Sequence, residues 1–307
     1  MKRVEVIGLQ TIPEIGRGDD LPGIIISAAE REGLPFAERD ILVLTSKVVS
    51  KAMGLVVHIA DIHPGPKALA LARTTGKKAH ILQLIHDLGH EIVAMVPVRG
   101  MVTDAILRDC SEPGAAQGLC DAEGVMCITR DRAGRIFTQD AGIDSSNHPD
   151  GVLSYPPPDP DEAAEAIREE IKARTGVNVA VILADTEMIG PGSLDLAIGS
   201  SGIHPRPNLF GHKDGFGRPK FGGMDIVVHE LSAAAGLLFG QLDAAIPAVI
   251  VRGYDYTWDE EANIANTLWS GLSETAVRGI VRGTLAATAH AQTPARAVFM
   301  RLLARLL

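Results

Sequence analysis

Three short runs of almost unbroken apolar residues constrain the fold of this chain more than any other feature. They cover residues 41–44, 177–185 and 245–253, and each is rich in Val and Ile. Runs of this length and composition predict buried strands. We expect the second strand to end on Asp185, because α/β proteins usually carry their chemistry at strand ends.

The segments between these strands contain several helix signals. Helices are expected at four places: 23–32, 66–90, 224–240 and 259–290. A fifth helix is expected to have Asp159 as its N-cap, Pro160 as its first residue and Gly176 as its stop. The chain therefore mixes helices and strands along its whole length.

Four other segments predict loops or peripheral structure. The many glycines of 190–223 predict long loops, and residues 132–134 (Arg-Ala-Gly) predict the turn of a hairpin. Residues 99–124 are interpreted as an insertion or flap. The C-terminal segment 295–307 predicts an amphipathic helix that packs on the body of the protein, with binding to a membrane surface as the alternative.

Composition and charge exclude some classes of function. The 307 residues include 29 Lys and Arg against 38 Asp and Glu, which gives a net charge of −9. A nucleic-acid binder usually carries a basic surface, so no nucleic-acid partner is expected. A polyanionic ligand would need local lysines or a bound metal to meet its charge. We expect an enzyme, and the length of 307 residues allows one large domain or two ordinary ones.

The sequence also carries signals of location. The N-terminus lacks the apolar stretch of a signal peptide, and no window reaches 18 continuous apolar residues. Neither secretion nor a transmembrane helix is therefore expected. The odd number of cysteines, Cys110, Cys120 and Cys127, favours a reducing compartment. We expect a cytoplasmic protein without a membrane partner.

Residues 140–147, Asp-Ala-Gly-Ile-Asp-Ser-Ser-Asn, gather two carboxylates, two hydroxyls and an amide in one loop. Mg²⁺ prefers oxygen ligands of this kind, usually one or two carboxylates together with phosphate oxygens. The loop is therefore a candidate metal site. A plain turn is the alternative, because Asp, Ser and Asn are common turn residues.

Two other pairs of polar residues follow the predicted strands. Asp185 and Thr186 offer a carboxylate and a hydroxyl that suit a metal opposite a nucleotide phosphate, with an N-cap or Asx turn as the alternative. Lys47 and Lys51 lie four residues apart on one predicted helix face. They provide the charges that a triphosphate needs, although the glycines of a Walker A motif are missing. A solvated basic helix face is the alternative.

Taken together, eight segments of the sequence occur in the order seen in the coenzyme F420-0:γ-glutamyl ligase family, which the chain resembles from about residue 4 to 255. They are VIGLQTIPEIGRGDDL, ILVLTSKVVSKAMG, AGIDSSN, PDPDEAAEAIREEI, VAVILADT, LDLAIGSSGI, GHKDGFGR and ELSAAAGLLFGQLDAAIPAVIVRG. The resemblance implies an α+β fold in which residues 1–307 form one unit of two interlocked halves, in an intertwined homodimer. It further implies GTP-dependent joining of L-glutamate to the carboxylate of F420-0 through an acyl phosphate.

The resemblance also implies the roles of individual residues. Asp144 and Asp185 would bind Mn²⁺ or Mg²⁺, Thr186 and Gln241 would complete a second metal position, and K⁺ would be a further cation. The implied catalytic residues are Asp144, Asp185 and Lys51. The residues implied to contact the nucleotide are Leu9, Gln10, Thr11, Ile12, Ser46, Lys47, Lys51, Asn147, Phe239 and Gly240.

The chain departs from the family where the acceptor is expected to bind. The family usually follows Asp-Thr with a Gly-Arg-Pro-like stretch and a further Arg, whereas Glu187 here begins a segment with no basic residue before Arg206. Asp140 replaces the usual Asn, and 53–55 (Met-Gly-Leu) replace Glu-Gly-Arg. Two alternatives therefore remain. One is a ligase for another carboxylate cofactor, such as a pterin or furan one-carbon carrier, and the other is a non-catalytic nucleotide- or cofactor-binding homologue.

Overall fold

The computed structural model describes residues 3–97, 125–189, 192–206, 211–221, 225–240, 242–269 and 298. The strands are β1 (Glu5–Gly8), β2 (Ile41–Thr45), β3 (Val56–His58), β4 (Glu91–Pro97), β5 (Val125–Arg130), β6 (Ile136–Phe137), β7 (Val152–Ser154), β8 (Ala180–Ile189), β9 (Gly192–Ser201) and β10 (Ala248–Arg252). The α-helices are α1 (Leu21–Arg31), α2 (Ser46–Met53), α3 (Pro66–Thr75), α4 (Ala79–Asp87), α5 (Pro160–Thr175) and α6 (Val227–Phe239). The predicted insertion at 99–124 lies outside the described residues, as does the predicted C-terminal helix at 295–307 except for residue 298.

A five-stranded mixed sheet forms the centre of the fold, in the order β1-β10-β2-β8-β9. β2 and β8 run parallel, and the other neighbouring strands are antiparallel. The three apolar runs become the three inner strands β10, β2 and β8, as predicted. Inner strands covered on both faces are apolar at nearly every position. The mixed α+β class is confirmed.

Helices cover both faces of this sheet. One face, which includes Leu42 and Leu183, packs against α1, α2 and α5. The other face, which includes Val43 and Ile182, packs against α6. The small sheets β3-β7 and β4-β5-β6 share a third apolar cluster with α3 and α4. No helix in the described ranges is both long enough and apolar enough to cross a membrane.

Several predictions of local structure are confirmed. The carboxylate of Asp159 accepts the N–H groups of Asp161 and Glu162 at the start of α5. Gly176 ends that helix with φ of 73°. The predicted hairpin joins β5 to β6, and Gly134 in its turn has φ of 93°. These signals are local, so the sequence around each position determines them.

Other predicted boundaries are wrong. The single helix expected over 66–90 is two helices, because Gly76 takes φ of 78° and ends α3. Part of the loop expected over 190–223 is β9, whose alternating apolar residues are obscured by its glycines. β8 continues past Asp185 to Ile189. Of 259–290, residues 265–269 form a π-helical turn, and 270–290 lie outside the described part of the chain.

Candidate functional site

Asp185 lies where β8 outruns its parallel neighbour. β2 ends at Thr45, opposite Ala184, and α2 begins at once with Ser46. The side chain of Asp185 is therefore next to the first turn of α2, and Ser46 Oγ donates a 2.8 Å hydrogen bond to its Oδ1. β8 continues beside β9, but β2 ends at Thr45, and the space beyond the end of β2 opens into a cavity.

The second carboxylate oxygen of Asp185 has no hydrogen-bond partner among the described residues, although it is buried. Burial, the charge of Glu187 and the charge of Asp144 raise the pKa of Asp185 well above its usual value. Buried polar atoms are nearly always paired, so an unpaired carboxylate oxygen at a cavity is a candidate ligand for a cation or a hydrogen-bond donor.

A left-handed turn carries the 140–147 loop to Asp185. Asp140, Ala141 and Gly142 have φ of 50°, 62° and 70°. A Cβ on Gly142 would lie 2.7 Å from Asp185 Oδ2, so this position requires glycine for space as well as for its backbone angle. The turn leads to Asp144, whose backbone N–H and C=O each form a 2.9 Å hydrogen bond with Ser154.

Lys47 and Lys51 extend from α2 towards this loop. Lys47 Nζ lies 2.6 Å from Asp144 Oδ2, and Ser146 N–H donates to the same carboxylate at 2.7 Å. Burial raises the pKa of Asp144, but the hydrogen bond and charge of Lys47 outweigh it, so this pKa lies below its usual value. Lys51 Nζ pairs with the Glu14 carboxylate and donates to the Asn147 carbonyl at 3.3 Å.

These groups surround a cavity of about 670 Å³. The predicted site residues that line it are Ile12, Ser46, Lys47, Lys51, Asp144, Asn147, Asp185, Thr186, Phe239 and Gly240. Leu9 is instead fully buried in the apolar core. Gln10 and Thr11 are exposed, and both of their N–H groups donate to Glu32. Gln241 lies outside the described residues.

The structure adds cavity residues that the sequence did not indicate. Asp195, on β9, accepts a 2.8 Å hydrogen bond from the Thr186 hydroxyl. Glu14 and Gln139 also line the cavity. In the sequence, Asp195 is the single charged residue of Leu-Asp-Leu-Ala-Ile. A strand over these residues would place every second residue, including Asp195, on one face of a sheet. Asp195 was missed because 190–223 was predicted to be loop.

The side chains suit a divalent cation whose remaining ligands are phosphate oxygens. Within the described ranges, no group of three His, Cys, Asp or Glu side chains encloses a metal by itself. Mg²⁺ and Mn²⁺ commonly take one or two carboxylates and complete their shell with phosphate oxygens and water. Asp185 has an unpaired oxygen for this role, and the Thr186 hydroxyl oxygen and Asp144 lie on the same cavity.

Comparison with known proteins identifies the class. The family model for F420-0:Gamma-glutamyl ligase matches residues 10–253, so the chain belongs to this ligase family. The family predicted from the eight sequence segments is confirmed.

Particular relatives extend the similarity over most of the chain. The coenzyme F420:L-glutamate ligase of Methanothermobacter thermautotrophicus is 33% identical over 255 residues, which cover 82% of this chain and 90% of that protein. The protein of the same name from Methanosarcina barkeri is 33% identical over 85% of this chain and 90% of its own length. The one from Archaeoglobus fulgidus is 32% identical over 82% of this chain and 88% of its own length.

Proposed function

We propose that this protein is a GTP-dependent ligase that joins L-glutamate to a carboxylate-bearing cofactor, coenzyme F420-0 or a related acceptor. Family membership and the names of the relatives support an amide ligase that uses glutamate. The observation that carries the proposal is the cavity itself. There, the unpaired oxygen of Asp185 faces a loop carboxylate and the two lysines of α2.

The cavity contains the charges that a triphosphate and its cations require. Asp144, Asp185 and Thr186, together with Gln241, would hold Mn²⁺ or Mg²⁺, with K⁺ as a further cation. When bound, these cations supply positive charge that neutralises the triphosphate and the departing diphosphate. Lys47 and Lys51 now neutralise Asp144 and Glu14, and are within reach of a phosphate chain beside α2. A net charge of −9 makes this local positive charge necessary.

The reaction needs two transfers, because a carboxylate is a poor electrophile. An acceptor carboxylate oxygen attacks the γ-phosphorus of GTP, the bond to the β-phosphate oxygen breaks, and GDP leaves. The amine of glutamate then attacks the acyl carbon, loses a proton, and inorganic phosphate departs with the C–O bond electrons. We propose that Lys51 and Lys47 stabilise the charge that develops on the transferred phosphoryl group.

A related ligase with a different acceptor is the second candidate. Glu187 is 3% exposed and accepts hydrogen bonds from the N–H and hydroxyl of Thr138. Glu187 follows Asp185-Thr186 directly, where the family usually has a Gly-Arg-Pro-like stretch and a further Arg. An anionic acceptor tail favours Arg forks over carboxylates. This difference supports an acceptor with a less anionic tail than F420-0.

We also propose that the protein is a homodimer. Leu237 and Leu242 are 85% and 81% exposed, and Phe216 is 89% exposed. A partner subunit that covered these apolar side chains would remove them from water, which favours association. Leu242 also lines the cavity, so a partner subunit would lie close to the bound substrates.

A coupled assay tests the ligase proposal. GTP, Mn²⁺, L-glutamate and a panel of carboxylate cofactors are supplied together, with ATP in a parallel series. We expect GDP and phosphate to form only when acceptor and glutamate are both present, with one glutamyl unit gained per GDP by mass spectrometry. Release of no phosphate with any acceptor would instead identify a non-catalytic homologue, and turnover with ATP alone would refute the GTP assignment.

Two lysine substitutions, one in the cavity and one outside it, test the role of the positive charge. Lys47→Met is expected to lower kcat/KM by roughly 100-fold or more, because it removes a charge from the phosphate side of the cavity. Lys67→Met removes an exposed lysine from α3 and should leave kcat/KM unchanged. Equal effects of the two substitutions would mean that Lys47 has no special role.

A further inference from the structure

Asp195 is a buried carboxylate in direct contact with a proposed metal ligand. It lies directly across from Thr186 in the β8–β9 register and is only 8% exposed. Thr186 Oγ1 donates to Asp195 Oδ1 at 2.8 Å. Both residues line the cavity, on the sheet face that α6 covers.

The helix that covers Asp195 is shaped to receive its carboxylate. Gly236 interrupts the apolar stretch Ala-Ala-Ala-Gly-Leu-Leu of α6, although a glycine within a helix is about 0.5–1 kcal/mol less favourable than alanine. A Cβ at Gly236 would lie within 3.0 Å of Asp195 Oδ2, closer than real Cβ contacts. Gly142 makes the same kind of space for the unpaired Oδ2 of Asp185. The cavity thus has two carboxylates, each accommodated by a glycine.

The hydrogen bond from Thr186 to Asp195 determines what the hydroxyl offers to the cavity. A hydroxyl has one proton and two lone pairs. Since the carboxylate can only accept, the proton points at Asp195, and the lone pairs of Thr186 Oγ1 remain for a cation. Partners of this kind orient metal ligands and raise their basicity.

We propose that Asp195 is the positioning residue of the second cation position, where it fixes the Thr186 hydroxyl as an oxygen ligand. This inference rests on the proposed metal-dependent ligase function and adds a residue to it. Asp195 acts through Thr186 and does not itself bind the cation. Any acceptor of similar shape at this position would preserve the effect, whereas an apolar residue would abolish it.

Direct Mn²⁺ binding tests the proposal on the full-length protein. Mn²⁺ is titrated in the presence of GDP, and free Mn²⁺ is measured by its electron paramagnetic resonance signal. We expect two Mn²⁺ sites in the unsubstituted protein. Asp195→Leu should weaken one site by roughly 10–100-fold, the range seen when the partner of a metal ligand is lost. Thr186→Val should weaken the same site, and the double variant should lose no more than either single variant.

Two other substitutions separate positioning from other roles. Asp195→Asn keeps an oxygen acceptor for the Thr186 hydroxyl, so its loss should stay below about 10-fold. Asp61→Leu removes an exposed carboxylate that does not line the cavity and should leave both sites intact. If Asp195→Leu does not fold, Gly236→Ala serves in its place, because the added methyl group displaces the carboxylate while both residues remain.

The outcomes are distinct. Unchanged Mn²⁺ affinity in Asp195→Leu overturns the proposal, and so does an Asp195→Asn loss as large as that of Asp195→Leu, which would indicate direct ligation. Additive losses in the double variant also contradict action through Thr186. Absence of Mn²⁺ binding by the unsubstituted protein in the presence of GDP would refute the proposed function itself.

Discussion

The buried pair between Lys77 and Asp140 leads to an asymmetric prediction about stability. Lys77 Nζ lies 2.6 Å from Asp140 Oδ2, with side chains 1% and 19% exposed. Asp140 Oδ1 also accepts the N–H of Cys127 at 2.9 Å. The pair anchors the left-handed turn that carries Asp144 into the cavity, and Asp140 stands where the resemblance predicts Asn.

The two single substitutions should differ because the two side chains are buried to different extents. Asp140→Asn removes the negative charge that lies 2.6 Å from an almost fully buried ammonium, and should lower the free energy of unfolding by about 3 kcal/mol. Lys77→Met leaves a carboxylate that water partly reaches and that keeps its hydrogen bond from Cys127. The expected loss is therefore about 1–2 kcal/mol. The double variant Lys77→Met/Asp140→Asn removes both charges of this pair, so its loss of stability should be smaller than the sum of the two single losses.

Urea unfolding at fixed protein concentration measures this cycle, with the two tryptophans as fluorescence probes. The denaturant slope should stay constant, so that midpoints report stability. Glu91→Gln is the matched control, because its ion pair with Arg130 is exposed and should contribute less than about 1 kcal/mol. Additive effects in the double variant, or a larger loss from Lys77→Met than from Asp140→Asn, would refute the reasoning.

Four further outcomes are expected. Asp144→Ala and Asp185→Ala should each abolish ligation and leave the fold intact, because both carboxylates line the cavity; near-normal turnover at saturating Mn²⁺ would contradict the assignment. F420-0 should be a poor acceptor, with kcat/KM roughly 30-fold to several thousand-fold below that of other carboxylate cofactors. The reason is that the segment beginning at Glu187 lacks the arginines that would bind an anionic tail, and efficient turnover of F420-0 at micromolar KM would count against this. Burial lowers the pKa of His229 below its usual 6.5, so its contribution to stability is complete above pH 6.5 and is lost as the pH falls towards the folded-state pKa. His229→Gln should reduce this acid dependence in thermal unfolding, and an unchanged dependence would exclude His229 as its cause. Light scattering should give twice the 32.5 kDa chain mass, and Leu237→Asp should shift the protein towards the monomer; a parent mass of 32.5 kDa would refute the dimer.

The sequence predicts the parts of this fold that local chemistry determines. The inner strands are recognisable because burial on both faces requires apolar residues throughout. The cap at Asp159 and the stop at Gly176 are recognisable because each serves its own helix. The family resemblance selects residues that are far apart in sequence, and ten of them prove to line one cavity.

What the sequence does not predict depends on distant pairing or on backbone strain. β9 is recognisable only beside β8, since glycines interrupt its pattern, and Asp195 was overlooked with it. Lys77 and Asp140 are 63 residues apart, so no periodicity connects them. The positive φ values of Asp140 and Ala141 are unusual for residues with a side chain. Such a turn is held by its surroundings rather than by its own residues.

The order of strands in the central sheet also affects how the chain is synthesised. β2 lies between β8 and β10, so its hydrogen-bonding neighbours do not exist until residues 180–184 and 248–251 have been translated. At about 5–20 residues per second, the apolar segment Ile41–Thr45 waits roughly 7–40 s for these partners. An unpaired apolar strand is prone to wrong pairing. Nascent chains of this protein should therefore need chaperone protection during translation, and products that stop before Arg252 should aggregate rather than fold.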